Sequence, residues 1–227
     1  MKKHVFCCMA LVLALFTASS VWAQNLGIKG GINLASISES ASDDLGDYED
    51  NAIVGIQAGL VAELPISDFF AIQPELLWVQ KGGKATYTLL GNELETTVRY
   101  NHIQLPVLAK IKATTDGSDF GLFFYGGPFA SFSLNGKSTV KTTTPLGTVE
   151  EEKDIDYSDD DNYERRFDWG ATFGLGFNVG ALFLDLRYDL GINNLLDDDI
   201  PTGGPNGDDP YLRTRGIGLT AGFMFGR

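Results

Sequence analysis

Cysteine is nearly absent from this sequence. The two cysteines, Cys7 and Cys8, lie within the first 23 residues, inside a short apolar run. If this segment is removed, residues 24–227 contain no thiol. The remaining chain then has neither disulfides nor a cysteine-based metal or catalytic site.

The first 23 residues have the pattern of a secretory signal peptide. Lys2-Lys3 precedes an apolar run at Val5–Phe16, and Val21-Trp22-Ala23 supplies acceptable residues for a cleavage site. The run has 12 residues, well short of the roughly 20 that a membrane-spanning helix needs. We therefore expect residues 1–23 to be a cleaved signal peptide and residues 24–227 to form a single domain.

Long apolar runs and basic residues are also scarce. No segment of residues 24–227 has enough consecutive apolar residues for a transmembrane helix, so the chain can enter a membrane only as a closed β-barrel. Without Lys2 and Lys3, 15 basic residues stand against 30 acidic ones, a net charge of −15. This charge excludes nucleic acid as an expected partner.

What the sequence does contain is alternation of apolar and polar residues. The clearest case is Phe167–Asn178, in which large apolar residues alternate with glycine, threonine, aspartate and asparagine. Such a period of two is typical of a β-strand with two different faces. The pattern predicts eight strands, at residues 25–37, 51–63, 70–82, 99–112, 120–136, 166–179, 182–195 and 211–225.

The connections between these strands alternate between long and short. In an antiparallel barrel this alternation places all the long loops at one end, and the tight turns with both termini at the other. The sequence therefore predicts an all-β fold, an eight-stranded antiparallel up-and-down transmembrane β-barrel in the bacterial outer membrane, with long loops extracellular and both termini periplasmic. The expected long loops are Ser38–Asp50, Gly83–Val98, Lys137–Arg165 and Leu196–Pro210, and the short ones are Leu64–Phe69, Ala113–Asp119 and Gly180–Ala181.

Most of the negative charge lies in the predicted long loops, which indicates solvated loop surface. A calcium loop is the alternative, because Asp154 and Asp156 are spaced as at the start of an EF-hand. That motif fails, since Asp159 replaces its glycine and Arg165 its last carboxylate. We predict no metal site. The acidic loop residues include Asp43, Asp44, Asp47, Glu49, Asp50, Glu150, Glu151, Glu152, Asp154 and Asp197–Asp199.

Residues on the second face of the strands decide between a membrane barrel and a soluble one. In a soluble barrel that face meets water and is rich in large polar residues, whereas here it is mostly glycine, threonine, serine and asparagine. Aromatic residues also cluster near the strand ends, as in the two interfacial belts of a membrane barrel. The expected belts include Phe69, Phe70, Phe123, Phe124, Phe177, Phe223 and Phe225 at one end and Trp78, Tyr100, Phe132, Phe167 and Trp169 at the other.

Nine charged or polar residues have the parity of the barrel interior. Opposite charges among them can pair, and buried charges are tolerated where they are paired and hydrogen-bonded. The set predicts a polar network that closes a narrow barrel; the alternative is a narrow polar pathway for ions. The nine residues are Lys29, Glu75, His102, Gln104, Lys110, Asp168, Asp185, Arg187 and Asp189.

Catalysis is not expected. His102 is the sole histidine of residues 24–227, and no recognisable motif places a nucleophile and an orienting carboxylate beside it. The glycine pairs at Gly174 and Gly216 lie within strands, so they indicate close packing rather than a nucleotide site. We predict no catalytic residue and no cofactor.

Five segments stand out along the chain: Gly27–Leu34, Ile72–Gly82, Ile103–Lys110, Gly126–Ala130 and Phe183–Tyr188. Taken together and in order, they are similar to the PorT-like outer-membrane β-barrel domain family of Bacteroidetes. The resemblance covers essentially all of residues 24–227, and it implies a barrel with a role in the envelope or in protein secretion.

Three functions are consistent with these patterns. The first is a structural or interaction barrel whose external acidic loops meet partners, outer-membrane lipid, lipopolysaccharide or cations. The second is a small porin that passes ions or small solutes. The third is a soluble periplasmic carrier, similar to a lipocalin, with an apolar lumen.

Overall fold

The computed structural model describes residues 25–39, 47–89, 92–114, 120–145, 147–155, 166–194 and 212–225. The predicted signal peptide and the loop 196–210 lie outside this part of the chain. The strands are β1 (Leu26–Glu39), β2 (Asp47–Asn51), β3 (Ile53–Ala62), β4 (Leu64–Pro65), β5 (Phe70–Leu89), β6 (Asn92–Thr114), β7 (Phe120–Thr144), β8 (Gly147–Ile155), β9 (Phe167–Val179), β10 (Leu182–Gly191) and β11 (Leu212–Met224).

Eight of these strands close into a ring. The order is β1, β3, β5, β6, β7, β9, β10 and β11, each antiparallel to the next, and β11 pairs with β1 over Gly27–Glu39. The predicted eight-stranded antiparallel barrel is confirmed. Among the described residues, no helix is long and apolar enough to cross a membrane.

The period of two separates the inside of the barrel from the outside. Along β9 and β10, exposed and buried residues alternate, with leucine and aromatic side chains outward and aspartate, threonine and Arg187 inward. Large outward side chains such as Phe173, Leu175 and Leu186 are about half exposed. A soluble carrier with an apolar lumen would need the opposite arrangement.

The apolar outer face has the height of a bilayer core. The outward residues of β9 extend from Phe167 to Val179. At about 3.4 Å per residue and a tilt of about 40°, this stretch rises roughly 30 Å, close to the hydrocarbon thickness of a membrane.

Short connections lie at one end, which we call the turn end. Gly180 and Ala181 join β9 to β10, and Gly180 adopts a φ of 55°, a conformation that suits glycine. Between β3 and β5, the two-residue strand β4 folds back on β5. Leu26 of β1 and Met224 of β11 are also at this end.

The opposite end corrects two predicted loops. Gly83–Val98 is a hairpin, in which β5 and β6 stay paired as far as Leu89 and Asn92. Lys137–Thr144 and Gly147–Ile155 are also strand, because β7 continues to Thr144 and β8 pairs back along it. These segments are rich in threonine and other strand formers, but in water they need no apolar outer face, so they lack the signal that marked the membrane strands.

Together these segments form a sheet beyond the barrel, which we call the distal sheet. It consists of β2, residues 83–89 of β5, 92–98 of β6, 137–144 of β7, and β8. The acidic residues of β2 and β8 therefore lie in strands, not in loops as predicted. Asp43, Asp44 and Asp197–Asp199 lie outside the described residues.

Two smaller irregularities shape this end. Leu134 is an extra residue of β7 between the pairs His102↔Ser133 and Asn101↔Asn135, a bulge that shifts the inward parity of β7 by one. β10 ends at Gly191, four residues before its predicted end. There Asn193 accepts from the backbone N–H of Trp169 and donates to the carbonyl of Phe167, which satisfies the edge of β9.

Candidate functional site

All nine residues predicted for the interior are buried in it. Six of them form a connected set, and Asp168, Lys110 and His102 belong to smaller groups nearer the two ends. The connected set is Lys29, Glu75, Gln104, Asp185, Arg187 and Asp189.

Glu75 is the centre of the connected set. Arg187 Nη1 donates to Glu75 Oε2 at 2.9 Å, and Lys29 Nζ donates to Oε1 at 3.4 Å. Gln73 Nε2 also donates to Oε1, at 2.7 Å. Each carboxylate oxygen thus has at least one donor, and the side chain is fully shielded from solvent. The arrangement meets the requirement that a buried charge be paired and hydrogen-bonded.

Two aspartates of β10 balance the two cations of the connected set. Asp185 pairs with Lys29, and Asp189 pairs with Arg187. Asp185 accepts from Lys29 at 3.0 Å, from the Tyr125 hydroxyl at 2.7 Å and from the Thr220 hydroxyl at 2.7 Å. These donors come from three different strands, so Asp185 ties β1, β7 and β11 to β10.

Asp189 lies further along β10 on the same inward face and is hydrogen-bonded in a similar way. Arg187 Nη2 lies 3.4 Å from Asp189 Oδ1, which also accepts from Thr172 at 2.5 Å. Gln104 Nε2 donates to Oδ2 at 3.2 Å. Asp189 therefore connects Arg187 to β6 and β9.

Two further ion-pair groups lie towards the ends of the barrel. Lys81 Nζ is 3.2 Å from Asp168 Oδ2, which also accepts from Thr214 at 2.7 Å. Near the turn end, Glu63 accepts from Lys110 at 2.8 Å and from Lys112 at 3.2 Å. The ammonium groups of Lys81 and Lys110 also lie over aromatic rings, which adds cation–π attraction.

His102 takes part in neither an ion pair nor a catalytic arrangement. Its Nδ1 lies 3.2 Å from Ser131 Oγ, and its ring meets Tyr100 edge-on. Among the described residues, His102 makes no hydrogen bond to a carboxylate, which a catalytic triad would use to orient the ring. The geometry is that of a buried, hydrogen-bonded histidine.

Charge in the interior is balanced, and its centre is shielded from bulk solvent. Among the described residues, the interior pairs join five cationic side chains to five anionic ones. The side chains of Lys29, Glu75 and Arg187 are 1% exposed or less. The five cations are Lys29, Lys81, Lys110, Lys112 and Arg187, and the five anions are Glu63, Glu75, Asp168, Asp185 and Asp189.

A small cavity remains beside this network. Asn33, Gln57, Lys81, Asp189 and Thr214 are among the side chains that line it. It has room for about one water molecule. Its size suits a bridging water and is too small for a solute path.

Several members of the network were missed from the sequence. Lys81 has the same inward parity as the predicted residue Glu75 of β5, Glu63 continues the buried alternation of Gln57 and Val61, and Tyr125 shares the inward face of β7. Parity alone would have found all three. The same rule corrects the aromatic belts, because Phe123 and Tyr100, expected at the membrane interfaces, are buried inside.

The comparisons with known proteins agree with this architecture. The family model described as "Outer membrane protein beta-barrel domain" matches residues 22–197. No curated protein is significantly similar to the chain in sequence.

Two solved structures illustrate the similarity of the chain path. One is outer membrane protein OprG from Pseudomonas aeruginosa, at 12% identity and a TM-score of 0.48, with 91% of this chain and 98% of that one covered. Another is Neisserial surface protein A, at 12% identity and a TM-score of 0.42, with 88% and 97% covered. The family match covers well over half of the sequence: the chain belongs to the outer membrane protein beta-barrel domain family.

Proposed function

We propose that this protein is a closed, non-catalytic barrel of the bacterial outer membrane that serves as an interaction platform. Its membrane part anchors the distal sheet, and the distal sheet meets partners outside the cell. In this orientation the turn end faces the periplasm. The observation that carries the proposal is the ion-paired, solvent-shielded centre of the barrel, which leaves the outer surfaces as the places where function resides.

Closure of the interior argues against the alternative of a small porin. A water-filled path would leave the side chains that line it accessible, yet Glu75 and Arg187 are shielded from both ends. Opening a path would require breaking the ion pairs that join strands on opposite sides of the ring.

The distal sheet supports an external interaction role. Strands β5 to β8 continue well past the apolar outer face and present a structured surface, rather than mobile loops. The resemblance of five sequence segments to PorT-like barrels favours a partner from the envelope or from a secretion system. Such a partner would dock on the distal sheet.

Basic side chains on the outer surface support contact with lipid phosphates. Arg213 and Arg215 of β11 and Arg99 of β6 are exposed and have outward parity, at the end of the apolar face nearest the distal sheet. Guanidinium groups bind phosphate through paired hydrogen bonds. In the proposed orientation these residues lie at the level of lipopolysaccharide phosphates.

Single-channel recording in a planar bilayer tests the closed barrel. The mature chain is refolded in detergent, reconstituted and compared with the variant Asp185→Asn/Arg187→Gln, which removes one anion and one cation from the interior. We expect no steady conductance from the parent. Steady conductance that changes in the variant would establish a polar pore and overturn the proposal.

A further inference from the structure

The polarity of the sheet inverts where it leaves the barrel. In the membrane part, the outward face is apolar and the inward face polar. In the distal sheet, strand register places Tyr87, Leu94, Thr142 and Val149 in one row across four strands, on the face that continues the inward parity. Three of these are large apolar side chains that are 40% exposed or more. The distal sheet thus has an exposed apolar row that faces water.

The opposite face of the distal sheet is charged. On β7 and β8, the cross-strand pairs Lys137↔Asp154 and Lys141↔Glu150 share that face. Lys137 also donates to Glu152 at 3.2 Å, and this hydrogen bond raises the pKa of Lys137. Both side chains of that pair are more than half exposed, so the ion pair is weak and open to exchange of partners.

β8 is a long exposed edge. Among the described residues it pairs with β7 and with no other strand, and eight of its nine residues are exposed. Ile155 anchors its end, since its side chain packs over Gly136 beside Tyr100. A nine-residue edge whose outer backbone donors and acceptors pair with no other described strand is a template for a further strand.

The side chains of this edge select among the strands that could add to it. Glu150, Glu152 and Asp154 project on one face, while Val149, Glu151, Lys153 and Ile155 project on the other. The first face is therefore wholly acidic, and the second carries apolar residues at both ends with one acidic and one basic residue between them. A second copy of β8 paired antiparallel about Glu151 would set Glu150 against Glu152, and like charges directly opposite each other destabilise a sheet. This register is disfavoured for a second copy, whereas the acidic face favours a cationic strand.

We propose that β8 is a docking edge for a partner protein, which adds one extended segment as a new strand, with lysine or arginine on one face and, on the other, apolar residues opposite Val149 and Ile155. The basic residues face Glu150, Glu152 and Asp154, and the apolar residues extend the row that ends at Val149. Strand addition supplies affinity through the backbone, and the alternating side chains supply specificity. This inference rests on the proposed interaction role and names the surface and the chemistry of its partner.

The test uses a nine-residue peptide of alternating lysine and valine, capped at both ends and labelled with a fluorophore. Binding to the full-length mature barrel in uncharged detergent is followed by fluorescence anisotropy. We expect saturable binding, and none for a peptide of alternating glutamate and valine. A third peptide, with proline at the central valine, should also fail because it breaks the strand.

Variants of the barrel test whether the lysine peptide binds at β8. Glu152→Lys should weaken binding of the lysine peptide several-fold, whereas Glu93→Lys, the same charge change on an exposed residue of the fully paired strand β6, should not. The triple reversal Glu150→Lys/Glu152→Lys/Asp154→Lys should weaken it about tenfold or more and create binding of the glutamate peptide. If Glu152→Lys and Glu93→Lys weaken binding of the lysine peptide equally, binding depends only on the overall charge of the barrel, and the proposal is overturned.

Hydrogen exchange provides an independent readout. Bound lysine peptide should slow exchange of the amides in Gly147–Ile155, while protection confined to other strands would contradict strand addition at β8. If the barrel forms a dimer that the triple variant abolishes, the strand that adds to β8 comes from a second copy of this chain. That result would overturn the proposal of a cationic partner. Conductance reports on the interior and peptide binding on β8, so failure of this inference is distinguishable from failure of the closed barrel.

Discussion

Arg187 and Glu75 form an ion pair across the full width of the barrel. The 2.9 Å hydrogen bond joins β10 to β5, and these two strands lie on opposite sides of the eight-stranded ring. No backbone ladder joins these two strands directly, so the contact between the two walls is made by side chains. Lys29 joins the same carboxylate from β1.

Removing one partner of this pair should destabilise the barrel strongly. Glu75→Gln keeps the size of the side chain but leaves Arg187 and Lys29 with one anion fewer in a solvent-shielded interior. Breaking a buried pair in this way costs about 3–5 kcal/mol. Urea unfolding in lipid vesicles, followed by tryptophan fluorescence, measures the free energy of unfolding.

The matched control replaces both charges. In Glu75→Leu/Arg187→Met the interior keeps equal numbers of cations and anions, and Asp189 keeps its hydrogen bonds from Thr172 and Gln104, so this variant should be more stable than Glu75→Gln. If the double variant is the less stable of the two, the hydrogen bonds of the pair contribute to the free energy of unfolding beyond neutralising each other's charge.

Loss of the Tyr125 hydroxyl should have a smaller effect. Tyr125→Phe removes one of the hydrogen bonds to Asp185, which keeps Lys29 and Thr220 as donors. The free energy of unfolding should fall by about 1–3 kcal/mol. Thr220→Val, which removes a hydroxyl from the same carboxylate, is a suitable comparison in the same assay. No measurable change in either variant would contradict the role assigned to Asp185.

Glycines of β9 should be needed for interior packing, whereas a lipid-facing glycine should not. A Cβ on Gly174 would collide with the Tyr125 ring, and one on Gly30 would meet no atom closer than 3.7 Å. Gly174→Ala should therefore lower the yield of refolded barrel, while Gly30→Ala should leave it unchanged. Gel shift between folded and unfolded protein measures that yield. Equal yields would show that Tyr125 moves aside at no cost.

The alternation of inward- and outward-facing residues made most of the fold and of the interior predictable from the sequence. A strand with one face in lipid must alternate, so Phe167–Val179 and Leu182–Gly191 could be identified, along with Asp185, Arg187 and Asp189 on their inward side. Beyond the membrane part, neither face of a strand lies in lipid, so the alternation of apolar and polar residues is lost. The β5–β6 hairpin and β8 are solvated on both faces, and the sequence therefore predicts loops for their residues. The partners of each charge depend on the arrangement of non-adjacent strands, which alternation alone does not specify.

The orientation of the barrel can be tested by labelling in whole cells. Cys7 and Cys8 are the chain's two cysteines and lie in the predicted signal peptide, so a single introduced cysteine reports its own position. Thr88→Cys is exposed in the distal sheet, and Asp68→Cys is exposed at the turn end. A membrane-impermeant maleimide should label Thr88→Cys in intact cells and Asp68→Cys after the outer membrane is permeabilised. The reverse pattern would place the distal sheet in the periplasm, and the partner of β8 would then have to be a periplasmic protein.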